Sequence, residues 1–207
     1  MRLWTRRALA LVIAGVVIGP PFALYRAYYS TTKRFREVTP GRFYRSGQMN
    51  ASGFRDIIER YKIKTVVNLQ HENPDPYIPT VWLGKPVIHE KDLCEQLHVR
   101  YVLITPEDPA PPDDLKQEPP AVAEFVKLLD DETAYPILIH CKAGLHRTGR
   151  LTAIYRMEKE GWDVGTAMRE LRANGYGYNM SSEADNYIIQ FVQNYKPRRK
   201  PPEGGAQ

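Results

Sequence analysis

The chain has 207 residues, 43% of them hydrophobic and 26% charged, with a formal net charge of +5. This is the content of a globular chain, enough for one domain of about 150 residues with end segments. Two cysteines, Cys94 and Cys141, exclude a disulfide framework. The basic excess collects largely in Arg2, Arg6 and Arg7, in Arg26, Lys33, Arg34 and Arg36, and in Lys196, Arg198, Arg199 and Lys200, without a basic-aromatic repeat, so no nucleic acid partner is expected.

From Ala8 to Tyr25 the chain carries no charge. About 18 such residues make a helix of roughly 27 Å, just enough to cross a bilayer. Pro20 and Pro21 are expected to kink or end it, leaving an apolar core from Ala8 to Gly19. A signal peptide shares the basic start and short apolar core, but no clear small-x-small cleavage site follows, so an uncleaved single-pass anchor is expected. The larger basic cluster after the span leans toward a cytoplasmic domain, while the signal-like order leans the other way; the side of the membrane stays open.

Tyr28 to Phe35 reads as a polar linker, and Arg36 to Gln48 as two short strands about a Pro40-Gly41 turn. Asn50 and Ser52 are N-cap candidates for a helix from about Gly53 to Tyr61, with Phe54, Ile57 and Ile58 on one face. The β-branched run Lys64 to Leu69 predicts a central parallel strand. Residues 71–88, with Pro74, Pro76, Pro79 and Pro86, read as a long loop. A helix near Glu90 to Leu97 holds Cys94 as a core residue, and a strand spans Arg100 to Ile104. A Pro-rich acidic loop, Thr105 to Leu115, carries Glu107, Asp108, Asp113 and Asp114. Ala121 to Asp131 predicts a helix with Val122, Phe125, Val126, Leu128 and Leu129 inward.

The apolar run Pro136 to Ile139 leads into His140-Cys141-Lys142-Ala143-Gly144-Leu145-His146-Arg147-Thr148-Gly149, and a helical pattern runs from Leu151 to Glu160. A loop between strand and helix gathers free backbone N–H groups and the positive helix end at one point. Arg147 can grip two phosphate oxygens at once. The same field favours the thiolate of Cys141, the nucleophilic form. Gly144 permits a turn where a Cβ would clash, Gly149 lets the helix pack closely on the sheet, and Thr148 can place a hydroxyl near the sulfur. His140 and His146 lack metal-ligand grouping, so no metal is expected. Asp163 caps a helix from Val164 to Ala173, a last helix runs from Ser181 or Ser182 to about Tyr195, and the aromatic residues of Asn174 to Asn179 read as structural.

His140-Cys141-x-Ala143-Gly144-x-x-Arg147-Thr148-Gly149 resembles the signature loop of the Cys-dependent protein tyrosine phosphatases, in the dual-specificity branch. Phe43-Tyr-Arg-Ser-Gly-Gln48 resembles the opening segment of several bacterial and fungal members, and Asn68 matches an Asn common at that place. The resemblance implies that Cys141 is the nucleophile and that Lys142, Ala143, Gly144, Leu145, His146 and Arg147 cradle the phosphoryl group. It further implies a carboxylic acid in the 105–115 loop that protonates the leaving oxygen. Asp108, 33 positions before Cys141, is the first choice, with Glu107, Asp113 and Asp114 competing. Thr148 would assist departure of the thiolate. Arg45 reads equally as a contact to the catalytic loop or as a surface residue of an edge strand, and Asn68 as a brace of that loop or a plain strand-end residue. No cofactor is implied.

The alternation of strands and helices predicts an α/β domain, a mostly parallel sheet flanked by helices with a ligand loop at a strand's carboxyl end. The expected organisation is an anchor or signal over residues 1–26, a linker over 27–36, a phosphatase domain over 37–195 and a disordered basic tail over 196–207. The expected activity is phosphomonoester hydrolysis on a phosphorylated protein. A phosphorylated inositol or phosphoinositide is the alternative, which His146 and Lys142 resemble. A membrane-tethered, catalytically idle phosphate-binding module is the reading of another class.

Overall fold

The computed structural model describes residues 3–70, 77–80, 87–105, 118–176 and 190–198. Helix α1 (Leu3–Thr32) contains Pro20 and Pro21 yet continues past both, so the early stop expected there does not occur. The stretch expected as linker is helical through Thr32. The hydroxyls of its polar residues fold back onto the preceding turn: Ser30 Oγ donates to Ala27 O (2.9 Å), and Thr32 Oγ1 to Tyr28 O (2.8 Å). The end carbonyls that the helix itself leaves without partners are taken by later residues, Tyr29 O by Lys33 N (2.8 Å), Ser30 O by Asn50 N (2.9 Å) and Thr32 O by Phe35 N (2.6 Å).

Strands β1 (Arg36–Thr39) and β2 (Phe43–Gly47) form a hairpin, followed by α2 (Ala51–Tyr61) and β3 (Thr65–Asn68). Asn50 is the N-cap of α2; its Oδ1 accepts from Gly53 N at 2.8 Å. Within the stretch expected to be loop, β4 (Tyr77–Pro79) pairs antiparallel with β5 (Val87–His89). Ile78 opposite Ile88 supplies the β-branched pair, and Ile78 is buried. The surrounding prolines conceal this ribbon in the sequence. Then come α3 (Glu90–Gln96), β6 (Arg100–Leu103), α4 (Pro120–Leu129), β7 (Ile137–Cys141), α5 (His146–Lys159) and α6 (Val164–Ala173), with residues 190–194 again helical.

The main sheet has the order β1-β2-β7-β3-β6. Only the β1–β2 pair is antiparallel. Strand β7 lies at the centre with all five residues buried, which explains its unbroken apolar character. Successive residues alternate between two cores. Phe43, Val67, Ile137 and Ile139 join α4, α5 and α6 on one face. Tyr44, Val66 and Leu138 join Phe54, Ile57, Ile58, Leu93 and Cys94 on the other. The Phe43 ring stacks on Tyr155 of α5, centroids 3.9 Å apart, and so locks α5 over β2. The parallel strands carry their carboxyl ends, and with them Cys141, to one edge of the sheet.

Candidate active site

Helix α5 begins at His146, five residues earlier than the apolar pattern indicates, so Arg147, Thr148 and Gly149 stand in its first turn. The loop from Lys142 to Leu145 is therefore very short. Its carbonyls are held from outside. Gln48 N donates to Lys142 O (3.3 Å), Arg34 Nη1 to Ala143 O (2.9 Å) and Arg45 Nη2 to Gly144 O (2.9 Å). In a planar trans peptide the N–H points opposite to the C=O. Three outward carbonyls thus turn the next three amides inward, and the Gly144 N–H does meet Cys141 Sγ at 3.2 Å. Gly144 has φ +73°, and a Cβ there would lie 2.5 Å from Gly47 N, so the loop closes tightly on the end of β2.

Arg45 is buried at 3% exposure and contacts the catalytic loop, resolving the two readings open from sequence. Burial pulls its pKa down to about 10, with Glu170 and Cys141 opposing that shift. Arg147 Nη1 donates to Leu69 O (3.1 Å), tying the first turn of α5 to the chain leaving β3. Thr148 is fully buried, and its Oγ1 has no hydrogen-bond partner. Lys142 is exposed, while Ala143, Leu145 and His146 are half-buried. The His146 ring meets Tyr176 edge-on at 5.5 Å, which gives that tyrosine a structural role. Gly149 makes room for a neighbouring helix: a Cβ would lie 2.5 Å from Leu171 Cδ1 of α6, so the close packing is on α6 rather than on the sheet.

A buried polar chain stands behind the nucleophile's strand. His140 Nε2 and Glu90 Oε1 are 2.6 Å apart, both residues fully buried. Asn68 Nδ2 donates to Glu90 Oε2 (3.3 Å) and to Tyr101 OH (3.2 Å), and Asn68 Oδ1 accepts from Gln70 N (2.9 Å). Asn68 therefore braces the loop at one remove, through Glu90 and His140, rather than by touching it. Glu90 was legible only as the first residue of a helix; nothing in its surroundings marks it as a partner of His140. Lys33 and Arg34, read as linker charges, also belong here. Lys33 O accepts from Gly47 N (2.7 Å), and the Lys33 side chain lies within electrostatic reach of Cys141. Asp108, Glu107, Asp113 and Asp114 lie outside the described residues.

A cysteine at the carboxyl end of a central parallel strand, a loop with inward amides and an arginine in the following helix turn define a Cys-dependent phosphatase. The chain belongs to the family described as DSP-PTPase phosphatase fused to NAD+ kinase, which matches residues 20–186. The dual specificity protein phosphatase TpbA of Pseudomonas aeruginosa is 28% identical over 185 residues, covering 84% of this chain and 74% of that one. Inositol diphosphatase DSP3 of Arabidopsis thaliana is 36% identical over 82 residues, 37% of this chain and 39% of that one. Among solved structures, P. aeruginosa TpbA superposes with a TM-score of 0.54 at 24% identity, over 80% of this chain and 86% of that one. The core catalytic domain of the PP-IP phosphatase SIW14 from S. cerevisiae gives 0.56 at 20%, over 78% and 85%. These two likenesses establish the fold. The chain is a phosphoric monoester hydrolase of the tyrosine and dual-specificity type.

Proposed function

We propose that Cys141 carries the phosphoryl group during turnover. The thiolate attacks phosphorus in line, the S–P bond forms, and the P–O bond to the leaving group breaks as Asp108 delivers a proton to that oxygen. The guanidinium of Arg147 and the amides from Lys142 through Ala143, Gly144, Leu145 and His146 to Arg147 hold the equatorial oxygens of a loose transition state. Water then attacks phosphorus, gives its proton to the Asp108 carboxylate, and the S–P bond breaks to return the thiolate. Thr148, with a buried hydroxyl that has no other partner, assists that departure.

The observation that carries this reading is the Gly144 N–H on Cys141 Sγ, in a loop whose Lys142, Ala143 and Gly144 carbonyls are taken from the far side. The test is hydrolysis of p-nitrophenyl phosphate by the full chain in detergent. Cys141→Ser is expected to lose at least about 10³-fold in turnover while unfolding at the wild-type temperature. Undiminished turnover would remove the nucleophile assignment.

The substrate is a phosphorylated protein on the strength of the relatives named dual specificity phosphatases. A phosphorylated inositol is the second reading, favoured by the likeness to a protein named inositol diphosphatase. The phosphatase unit is taken as residues 37–195. Its anchor is α1, 30 residues long with none of them buried, apolar and long enough to cross a bilayer.

A further inference from the structure

The last turns of α1 do more than lead into the domain. Arg26, Tyr29 and Ser30 follow the spacing i, i+3, i+4, which puts them on one face of the helix, and Lys33, one residue past its end, continues that face at i+7 with its N–H donating to Tyr29 O (2.8 Å). That face closes a cleft of about 240 Å³ whose other residues are Gln48, Met49, Asn50 and Pro79. Among the described residues that line it, two are cations and none is acidic. The cleft adjoins the catalytic loop. A Cβ built on Gly47 would lie 3.0 Å from Lys33 Cγ on one side and 3.0 Å from the carbonyl carbon and oxygen of Ala143 on the other. Lys33 and the loop that holds Cys141 therefore meet over a single glycine.

The polar groups of the cleft are only partly used. Asn50 Oδ1 caps α2, its Nδ2 reaches Ser30 Oγ at 3.4 Å, and Ser30 Oγ donates to Ala27 O. Gln48 Nε2, in contrast, is buried with no hydrogen-bond partner. Leaving a buried N–H donor unpaired is costly, and an acceptor entering the cleft removes that cost. Burial and the neighbouring Arg34 depress the pKa of Lys33, so an anion placed beside it would strengthen its charged form.

We propose that Arg26 and Lys33, with Gln48, form a second phosphate subsite beside the catalytic loop, which holds another phosphate of a multiply phosphorylated substrate while Cys141 attacks the first. The proposal rests on the phosphatase reading and narrows its substrate. Arg26 is the first charge after the apolar run and Lys33 stands seven residues on, a helical rise of about 10 Å. A phosphorylated inositol lipid held at a membrane surface and the same head group free in solution offer the same chemistry.

Both are tested with the full chain. The first measurement is kcat/KM for an inositol trisphosphate in solution and for phosphatidylinositol bisphosphate in phosphatidylcholine vesicles, each divided by kcat/KM for p-nitrophenyl phosphate. Lys33→Met, which keeps the aliphatic stem, and Arg26→Gln are each expected to lower this ratio by about tenfold or more, and Lys33→Arg to restore it. A fall in either arm supports the subsite and identifies the source of the phosphate. Ratios within about twofold of wild type in both arms, for both variants, overturn it. The second measurement is calorimetric binding of the inositol trisphosphate and of inorganic phosphate to Cys141→Ser protein. Tighter binding of the trisphosphate that disappears in Lys33→Met supports the subsite. Equal affinities with and without Lys33 overturn it, whereas failure of the phosphatase reading would show separately, as no turnover of p-nitrophenyl phosphate by wild type.

Discussion

His140 precedes Cys141 directly, and its ring is held by Glu90, a carboxylate fifty positions away in sequence. Because His140, Glu90 and Asn68 are all fully buried, removing the carboxylate takes the acceptor from His140 Nε2 and one of the two acceptors from Asn68 Nδ2, where no water reaches either. Glu90→Ala is expected to cost about 1–3 kcal/mol in urea unfolding and to lower kcat. Glu90→Gln, which keeps the size and one acceptor, should recover part of both. Cys94 illustrates a thiol with the opposite environment to a reactive one. Burial, with Glu90 adding to it, pushes its pKa up to about 12 from an ordinary 9.0. The folded chain then keeps its proton after the unfolded chain has lost it. The resulting stability is complete below about pH 9 and falls as pH rises toward 12. Cys94→Ala should flatten the dependence of unfolding free energy on pH over that interval. Native protein treated with iodoacetamide at neutral pH should show no label on Cys94 by peptide mass spectrometry. For the acid, Asp108→Asn is expected to slow alkyl phosphate hydrolysis by about 10²-fold or more. It should slow p-nitrophenyl phosphate less, since that phenolate leaves without a proton; equal slowing would assign the proton elsewhere.

At the scale of elements, the crossing of α1 over α2 governs how the helix end meets the site. A Cβ on Gly53 would lie 2.1 Å from Thr31 O, a backbone atom that cannot swing aside. Asn50 N donates to Ser30 O at 2.9 Å in the same contact, and Gly47 N to Lys33 O just beyond it. Gly53→Ala should therefore push the end of α1 off the domain and cost about 1–3 kcal/mol by overpacking, read in denaturant unfolding in detergent. The displacement should also weaken the Lys33 carbonyl's hold on Gly47, under the catalytic loop. The packing of α5 is similarly close. Gly149 admits Leu171, while Arg156 of α5 binds Glu170 of α6 with Nη2 to Oε1 at 2.6 Å, a half-buried ion pair that holds the two helices at that distance; Glu160, the C-cap of α5, pairs with the same guanidinium at 2.5 Å and fixes its direction.

Taken as a whole, the molecule is a phosphatase sheet joined to a helix with no buried side chains along thirty residues. Such a helix in water would leave a large apolar surface exposed, including Leu11, Val16, Ile18, Phe22 and Leu24. An expressed full chain is expected to stay with membranes through an alkaline carbonate wash, and a chain starting after Tyr25 to be released. Intact mass of the membrane form should still include the first 25 residues if the helix is an anchor; a mass lacking them would make it a signal segment.

Local patterns alone determined most of the main-sheet strands, the helices between them and the catalytic loop, but not the β4–β5 ribbon. Strands Thr65–Asn68 and Ile137–Cys141 announce themselves by β-branched apolar runs, α4 by its helical period, and the loop by the spacing of Cys141, Gly144 and Arg147. These signals depend on neighbours within about ten residues, so they survive without a fold. Tertiary structure decided which distant groups serve the site. Glu90 reaches His140, Arg45 and Arg34 take the loop carbonyls, and Lys33 comes to rest beside Gly47. It also carried α1 through its prolines and through the polar stretch to Thr32, because amides of the docked domain satisfy an end that composition alone reads as linker, Asn50 N donating to Ser30 O. A parallel sheet brings its strand ends together from separations of dozens of residues, and no local period records which side chains will meet there.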